Sequence, residues 1–316
     1  MSPHVIPKPM ALEPDLLLDR RRLKRQLAFW RTTLVLGVVV GLAFVFGAPG
    51  LGPAGGVLGG QHVSRLTLSG TITEDRRMLR LLAAAARDDD MRALLVVINS
   101  PGGSVAGGEA FHTAIARVRA AGKPVVAVMG GTAASAGYMV ALPAERIFAR
   151  ESTLTGSIGV LLQSFNAAEL LETLGVQPES ITSGPLKDQP SPFRPLTEQG
   201  RASLAAVVED MQSQFVAMVV AGRNMAEPRV RELADGRVMT GRQALALGLL
   251  DAIGGEPEAR AWLAETHGVD RELRVRDLDP RGTAERALSA VADALWGGGA
   301  RLLRAEGLIP GQISLR

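Results

Sequence analysis

After residue 60 the chain shows two rhythms of apolar and polar positions. His62–Leu68 alternates with period two and predicts a strand, and Glu74–Arg87 repeats its apolar residues at helical spacing. Ala93–Ile98 (ALLVVI) is an unbroken apolar run that stops at Asn-Ser-Pro-Gly-Gly, and Pro124–Met129 (PVVAVM) is another that stops at Gly-Gly. Short apolar runs closed by turn residues predict strands buried on both faces. Val105–Ala121 reads as a helix between them. Further along, Ala133–Ala141 predicts a small-residue helix, Arg146–Ala149 a strand, Ala167–Leu174 a helix and Glu179–Thr182 a strand. Thr197 to Asn224 predicts a long helix with Leu204, Val207, Met211, Phe215, Met218 and Val219 at helical spacing, and Gln243–Leu249 and Glu256–His267 predict two more.

Apolar strands alternating with helices imply βαβ units, right-handed crossovers and a parallel sheet covered on both faces. Sites in such sheets gather at the carboxyl ends of strands. Two strands here end in Gly-rich turns, SPGG at 100–103 and GGTAASAG at 130–137, which are the places to look for chemistry.

The first 60 residues follow another pattern. Between Arg31 and Arg65 there is no charged residue, and Phe29 to Ala48 is long and apolar enough for a membrane-spanning helix. Residues 1–31 hold seven basic against three acidic residues, a net +4, which leaves the rest of the +3 chain at −1. The basic cluster predicts a cytoplasmic N-terminus and a body outside the inner membrane. A cleaved signal peptide is the other reading, against which stands the length of the basic region. The expected organisation is a cytoplasmic basic N-terminus over 1–28, an anchor over 29–49, a Gly/Pro linker over 50–61, a catalytic domain over 62–278 and a C-terminal extension over 279–316. The GxGxxG match at Gly50, Gly52 and Gly55 has Pro53 inside it and no helix after it, so it reads as linker.

Composition narrows the chemistry. The 316 residues contain no cysteine, which excludes disulfides, a cysteine nucleophile and Cys-ligated metal. The four histidines, at 4, 62, 112 and 267, are far apart and form no HExxH. No cofactor or metal is expected. Aromatics are 4% of the chain and the body is near neutral, so nucleic acid is not an expected partner.

Ser135 follows a buried strand within a run of Gly and Ala, where the hydroxyl is open and a substrate backbone can come close. It is either a nucleophile or part of a helix–sheet contact that needs small residues. A serine nucleophile needs a base, and no histidine lies between Ser135 and His267. Lys187, in the Pro- and Gly-rich ITSGPLKDQPSPFRPLT, is the candidate. It acts only when neutral, so its surroundings must lower its pKa from the ordinary value of about 10.4. Asp188 beside it opposes that unless it points away. The plain alternative is a solvated loop lysine.

NSPGGSV, MGGTAASAGYMVALPAERIFAR, LTGSIGV, SGPLKDQPSPFRPLT and GRVMTGRQALALGLLDAIGG occur in that order between Val63 and Gly255. Together they resemble the signal peptide peptidase A family, membrane-anchored serine proteases with the parallel sheet and flanking helices of the caseinolytic protease and crotonase group. The resemblance implies a Ser135–Lys187 dyad. It implies oxyanion donors at the N–H of Gly103 (Gly102 the lesser choice) and of Ala136, with Ser157 orienting the lysine. It also implies a ring- or dome-shaped homo-oligomer acting on peptides, namely signal peptides left in the membrane after secretion and unfolded proteins. The rival expectations are a crotonase-like acyl-CoA enzyme and a non-catalytic membrane scaffold.

Overall fold

The computed structural model describes Gln26, Phe29–Thr33, Val35, Gly37 and residues 60–279. The chain divides into two compact units, of which Gly60–Pro280 is the one described below. Of the expected anchor, the described positions 29–33, 35 and 37 are helical and exposed. The rest of the anchor, the expected cytoplasmic segment save Gln26, the linker up to residue 59 and the extension after residue 279 lie outside the described residues.

The unit is mixed α/β. Its strands are β1 (His62–Ser69), β2 (Met91–Ser100), β3 (Val125–Ala134), β4 (Arg146–Ala149), β5 (Leu154–Gly156), β6 (Val238–Thr240), β7 (Ala252–Ile253) and β8 (Val275–Asp277). The helices are α1 (Arg76–Ala85), α2 (Val105–Ala120), α3 (Ala136–Ala141), α4 (Ala168–Thr173), α5 (Glu198–Arg223), α6 (Glu227–Leu233), α7 (Gly241–Ala246) and α8 (Glu256–His267). The main path of the sheet runs β6-β5-β3-β2-β1-β8, with β4 pairing β3 and β7. Every pairing is parallel except β5–β6. β3 changes partner along its length: Val126–Met129 pair with β4 and Thr132–Ala134 with β5.

β2 shows why the sheet is covered on both sides. Leu94, Val96 and Ile98 face one core with Phe111 and Ile115 of α2 and Leu82 of α1. Ala93 and Leu95, of opposite parity, face another with Val126, Phe148 and Ala259 and Leu263 of α8. A side-chain period of two in a strand buried on both faces produces the unbroken apolar run seen in the sequence. The helices start where polar side chains take up free N–H groups. Asp75 accepts from Arg77 N at 2.8 Å, Ser104 from Gly107 N at 3.1 Å and Thr197 from Gly200 N at 3.0 Å.

Several expectations are corrected here. The helix expected over Ala133–Ala141 begins at Ala136, because Ala133 and Ala134 still pair with Thr155 and Gly156 of β5. No strand forms over 179–182, where Ile181 is fully exposed and no neighbouring strand is paired. The helix expected over Gln243–Leu249 runs Gly241–Ala246, set by a capping box between Thr240 and Gln243. Among the described residues α5 is long and apolar enough to cross a membrane by length and composition (mean hydropathy 1.3). Part of that character has a soluble explanation, since Phe215, Val216 and Val219 are buried in the core. Its earlier turns are open, with Val207 44% exposed.

Candidate active site

Ser135 stands between β3 and α3 with φ 54° and ψ −121°. A non-glycine residue in this region costs about 1–3 kcal/mol and persists only where its surroundings fix it. Here both ends of the residue are fixed. Its N–H donates to Gly156 O at 2.9 Å, and its carbonyl accepts from Tyr138 N at 2.9 Å and Met139 N at 3.1 Å. The side chain is half-buried and its hydroxyl makes no cap bond to α3. Beneath it, Tyr138 is fully buried and donates its hydroxyl to Leu249 O at 2.7 Å. Burial pushes the Tyr138 hydroxyl well above its ordinary pKa, so it stays a donor.

The turn after β2 comes against Ser135. A Cβ at Gly102 would lie 3.0 Å from Ser135 Cβ and 3.4 Å from its Oγ, and Gly102 has φ +128°. Only glycine fits that combination of conformation and contact. The backbone groups of the turn can be followed one by one. Ser100, fully buried, accepts from Gly102 N and donates to Gly102 O, both at 3.1 Å. Ile72 N donates to Gly102 O at 2.8 Å and Ile72 O accepts from Ser104 N at 2.9 Å. This is a parallel bridge centred on Gly103, in which residues 102 and 104 make the bonds to Ile72. The N–H of Gly103 itself is therefore directed to the side away from Ile72, while that of Gly102 is taken by Ser100. A Cβ at Gly103 would lie 1.9 Å from Ile72 O, so this position has no room for a side chain.

Ala136 is the first residue of α3, and its amide belongs to the first turn, which has no partner within the helix. The small residues also serve packing: a Cβ at Gly108 would come within 3.1 Å of Ala136 Cβ and 2.8 Å of Met139 Sδ. Small residues are thus needed here for the close contact of α2 with α3, whatever the role of the Ser135 hydroxyl. Ser157, half-buried with φ 49°, follows the Gly156 whose carbonyl takes the Ser135 amide, and its own N–H donates to Arg237 O at 2.8 Å.

Lys187 is in a different setting. It lies in an exposed turn, its N–H donating to Gly184 O at 3.2 Å. Among the described residues no hydrogen bond joins its Nζ to Ser135 Oγ. The structure thus brings Ser135, Gly102, Gly103 and Ala136 together, with Ser157 one residue from the Gly156 that binds Ser135, and leaves Lys187 on a separate surface segment. Asp188 turns to Arg194, whose Nε lies 3.1 Å from Asp188 Oδ2. Beside this loop is a cavity of about 610 Å³ lined by Phe165, Ser191, Arg194, Pro195, Arg201 and Leu204 among others.

A profile of peptidase family S49 matches residues 117–270, a span holding Ser135, Ser157 and Lys187. A profile of the Clp proteases matches residues 64–154, a span holding Gly103, Ser135 and Ala136. A putative protease of Synechocystis is 42% identical over 191 residues, 60% of this chain and 69% of that protein. The chain belongs to peptidase family S49. Membership makes it a serine protease with a Clp-like mixed α/β fold. A putative signal peptide peptidase SppA of Enterococcus faecium is 39% identical over 51% of this chain, and protease 4 of Salmonella typhi 36% identical over 63%. The chain spans 47% and 32% of the lengths of those two relatives.

Sequence reasoning did not single out Ser100, Ile72, Gly156 or Arg194. Ser100 had a signal: a hydroxyl residue at the end of an apolar run, just before Pro-Gly-Gly. Ile72, Gly156 and Arg194 act through contacts from other segments or six residues along an irregular loop, and no local pattern points to them.

Proposed function

We propose that this chain is a membrane-anchored endopeptidase in which Ser135 is the nucleophile and Lys187 the general base. The observation that supports it most directly is the junction at Ser135: a strained serine whose own amide is occupied by Gly156, facing a glycine turn with an amide at Gly103 directed away from its bridge to Ile72.

Neutral Lys187 takes the hydroxyl proton as Ser135 Oγ attacks a peptide carbonyl carbon. The N–H groups of Gly103 and Ala136 donate to the oxyanion, a type of contact worth about 10²–10³ in rate per donor. The tetrahedral intermediate collapses with cleavage of the C–N bond, and the lysine proton goes to the leaving amine, giving an acyl-enzyme and the first product. Water, losing a proton to Lys187, attacks the ester carbonyl, and as this intermediate collapses Lys187 returns the proton to Ser135 Oγ, which releases the second product and restores the neutral lysine and free serine. Ser157 holds the lysine amine by a hydrogen bond.

The turn bearing Lys187 is exposed in the single chain, and the segment around it carries open apolar side chains, Leu161 at 83% and Phe165 at 73% exposure. A homo-oligomer, a ring or dome, covers this segment and brings a lysine to each serine, from the same chain or from a neighbour. The substrates are peptides, chiefly signal peptides left in the membrane, with unfolded proteins as a second class. The apolar segment 29–49 anchors the chain in the bacterial inner membrane with its N-terminus in the cytoplasm, so that the catalytic unit works on the outer side. No cofactor takes part.

The test is turnover of a fluorogenic peptide by the full chain in detergent or vesicles. Ser135→Ala and Lys187→Ala each reduce it to background with unchanged thermal unfolding, and wild-type kcat/KM rises with pH as the lysine loses its proton. Near wild-type turnover in Lys187→Ala, or a flat profile from about pH 6 to 10, overturns the dyad.

A further inference from the structure

A lysine base has a problem built into this sequence: its neighbour is Asp188. Adjacent Cα atoms are about 3.8 Å apart, so in any assembly the carboxylate of Asp188 remains within reach of the Lys187 amine. An unpaired carboxylate at that range favours the ammonium form and so reduces the share of lysine able to act as a base.

The structure gives Asp188 another partner. Arg194 comes back from the far end of the Pro-rich loop and sets its Nε 3.1 Å from Asp188 Oδ2, an ion contact to a solvent-shielded oxygen that makes no hydrogen bond. Both side chains are only partly exposed, 39% for Arg194 and 27% for Asp188. Besides Lys187, Asp188 and Arg194, the charged groups on the elements next to this loop include Glu169 and Glu172 of α4, which is tied to the loop by the bond from Ala167 N to Pro192 O, and Glu198 and Arg201 from the first turns of α5, Arg201 lining the same cavity as Arg194. Of these Asp188 and Arg194 are paired. The loop is otherwise held by Gln189, whose Oε1 accepts from Thr197 N at 3.1 Å, and by Ser191, whose Oγ accepts from Phe193 N at 3.3 Å.

We infer that Arg194 is a positioning residue for the reaction: it draws the Asp188 carboxylate away from Lys187 and offsets its charge, so that the lysine can serve as a base. The inference rests on the proposed role of Lys187. It holds whether the serine attacked by that lysine belongs to the same chain or to a neighbour, because the Lys187–Asp188–Arg194 relation lies within one loop.

The test is the pH profile of kcat/KM for the full chain. In Arg194→Gln, Asp188 turns to Lys187, and the pH at which kcat/KM reaches half its plateau moves up by about one unit, the size of one charge at about 6 Å in an intermediate dielectric. Activity near neutral pH falls about tenfold and returns at high pH. Arg194→Lys keeps the cation and restores most of the profile. Asp188→Asn, alone or with Arg194→Gln, breaks the ion pair without leaving a carboxylate, and its profile does not move up. A loss in Arg194→Gln that is equal at every pH, or an upward move in Asp188→Asn as large as in Arg194→Gln, overturns the inference and makes the pair a loop brace only. Lys187→Ala in the same series separates the two levels. If it retains turnover, the base assignment falls and this inference with it. If it is inactive while Arg194→Gln keeps the wild-type profile, only the role of Arg194 falls.

Discussion

Around Ser135 backbone bonds converge from β2, β3 and β5 and from Ile72. Gly156 O takes the Ser135 amide, Ile72 bonds residues 102 and 104, and buried Ser100 closes both polar groups of Gly102. Between residues 160 and 196 the chain is of another kind. It has one short helix, the bond from Ala167 N to Pro192 O at 2.7 Å reaches across it, and Leu161, Phe165, Leu170 and Leu174 are each more than 60% exposed. Buried, mutually bonded backbone keeps a strained serine in one geometry, whereas a segment whose apolar side chains face water has not yet met the surface that buries them. Under the proposed dyad, the serine half of the site is built within a single chain, and the lysine half is the part left to a partner surface.

The sharpest way to break that contrast is at Gly103. A methyl there would sit 1.9 Å from Ile72 O, a backbone atom held on both sides, so the SPGG turn has to move. Gly103→Ala is expected to lower kcat by about 10²–10³, the value of one oxyanion donor, and to cost about 1–3 kcal/mol in stability from overpacking. Urea unfolding and steady-state kinetics on the same preparation check both. A Gly103→Ala enzyme with wild-type kcat would show that this turn is as pliant as the lysine segment.

How far the sequence carried this picture depends on the kind of contact. β2 and β3 were legible because they are buried on both faces, and parallel-strand geometry put the two Gly-rich turns at their carboxyl ends, where Gly102 meets Ser135. β5, β6 and β8 were not, because strands of three residues carry too little pattern to separate from loop. The strand expected over 179–182 failed because its four residues hold a single apolar side chain, Ile181, which is fully exposed, and pair with no strand. Ser135 was placed at the mouth of a helix, while its positive φ comes from tertiary bonds to Gly156 that no local rule contains. The danger posed by Asp188 could be read from its position next to Lys187, and its pairing with Arg194 could not.

Ser100 tests the same half more gently. Ser100→Ala leaves the N–H of Gly102 without its partner, and an unmatched buried polar group costs about 1–3 kcal/mol. Because that amide no longer has a fixed acceptor, the turn can rotate, and kcat is expected to fall about tenfold with little change in KM, the signature of an interaction made in the transition state. The lysine segment should respond in the reverse sense. Phe165→Ser with Leu174→Ser removes two side chains that are 73% and 66% exposed, so unfolding of the single chain should shift by less than about 0.5 kcal/mol. Sedimentation should nevertheless show smaller particles than the wild type, with turnover lost in parallel. If assembly and activity survive both changes, the open apolar surface is not the interface.

The smallest effect expected is on acid stability, and it distinguishes the two halves by which gives way first. His112 is half-buried on α2, the helix that follows the SPGG turn and packs on α3. Burial holds its imidazole below the ordinary 6.5, with Glu109 pulling weakly the other way. The fold therefore favours the neutral ring. Above pH 6.5 the ring is neutral folded or unfolded and contributes no pH dependence. As pH falls below that value, the unfolded chain binds a proton that the folded one resists, and stability declines until the folded-state value is passed. His112→Gln should flatten the melting temperature between pH 7 and 5 relative to the wild type, measured in a Ser135→Ala background to prevent self-cleavage. Hydrogen exchange at pH 5.5 adds the spatial reading: amides of α2 and the SPGG turn should lose protection more in the wild type than in His112→Gln, while those of residues 160–196 should exchange alike in both. Equal acid sensitivity of the two proteins would mean that proton uptake elsewhere opens the molecule, with the serine half no weaker at His112 than at any other point.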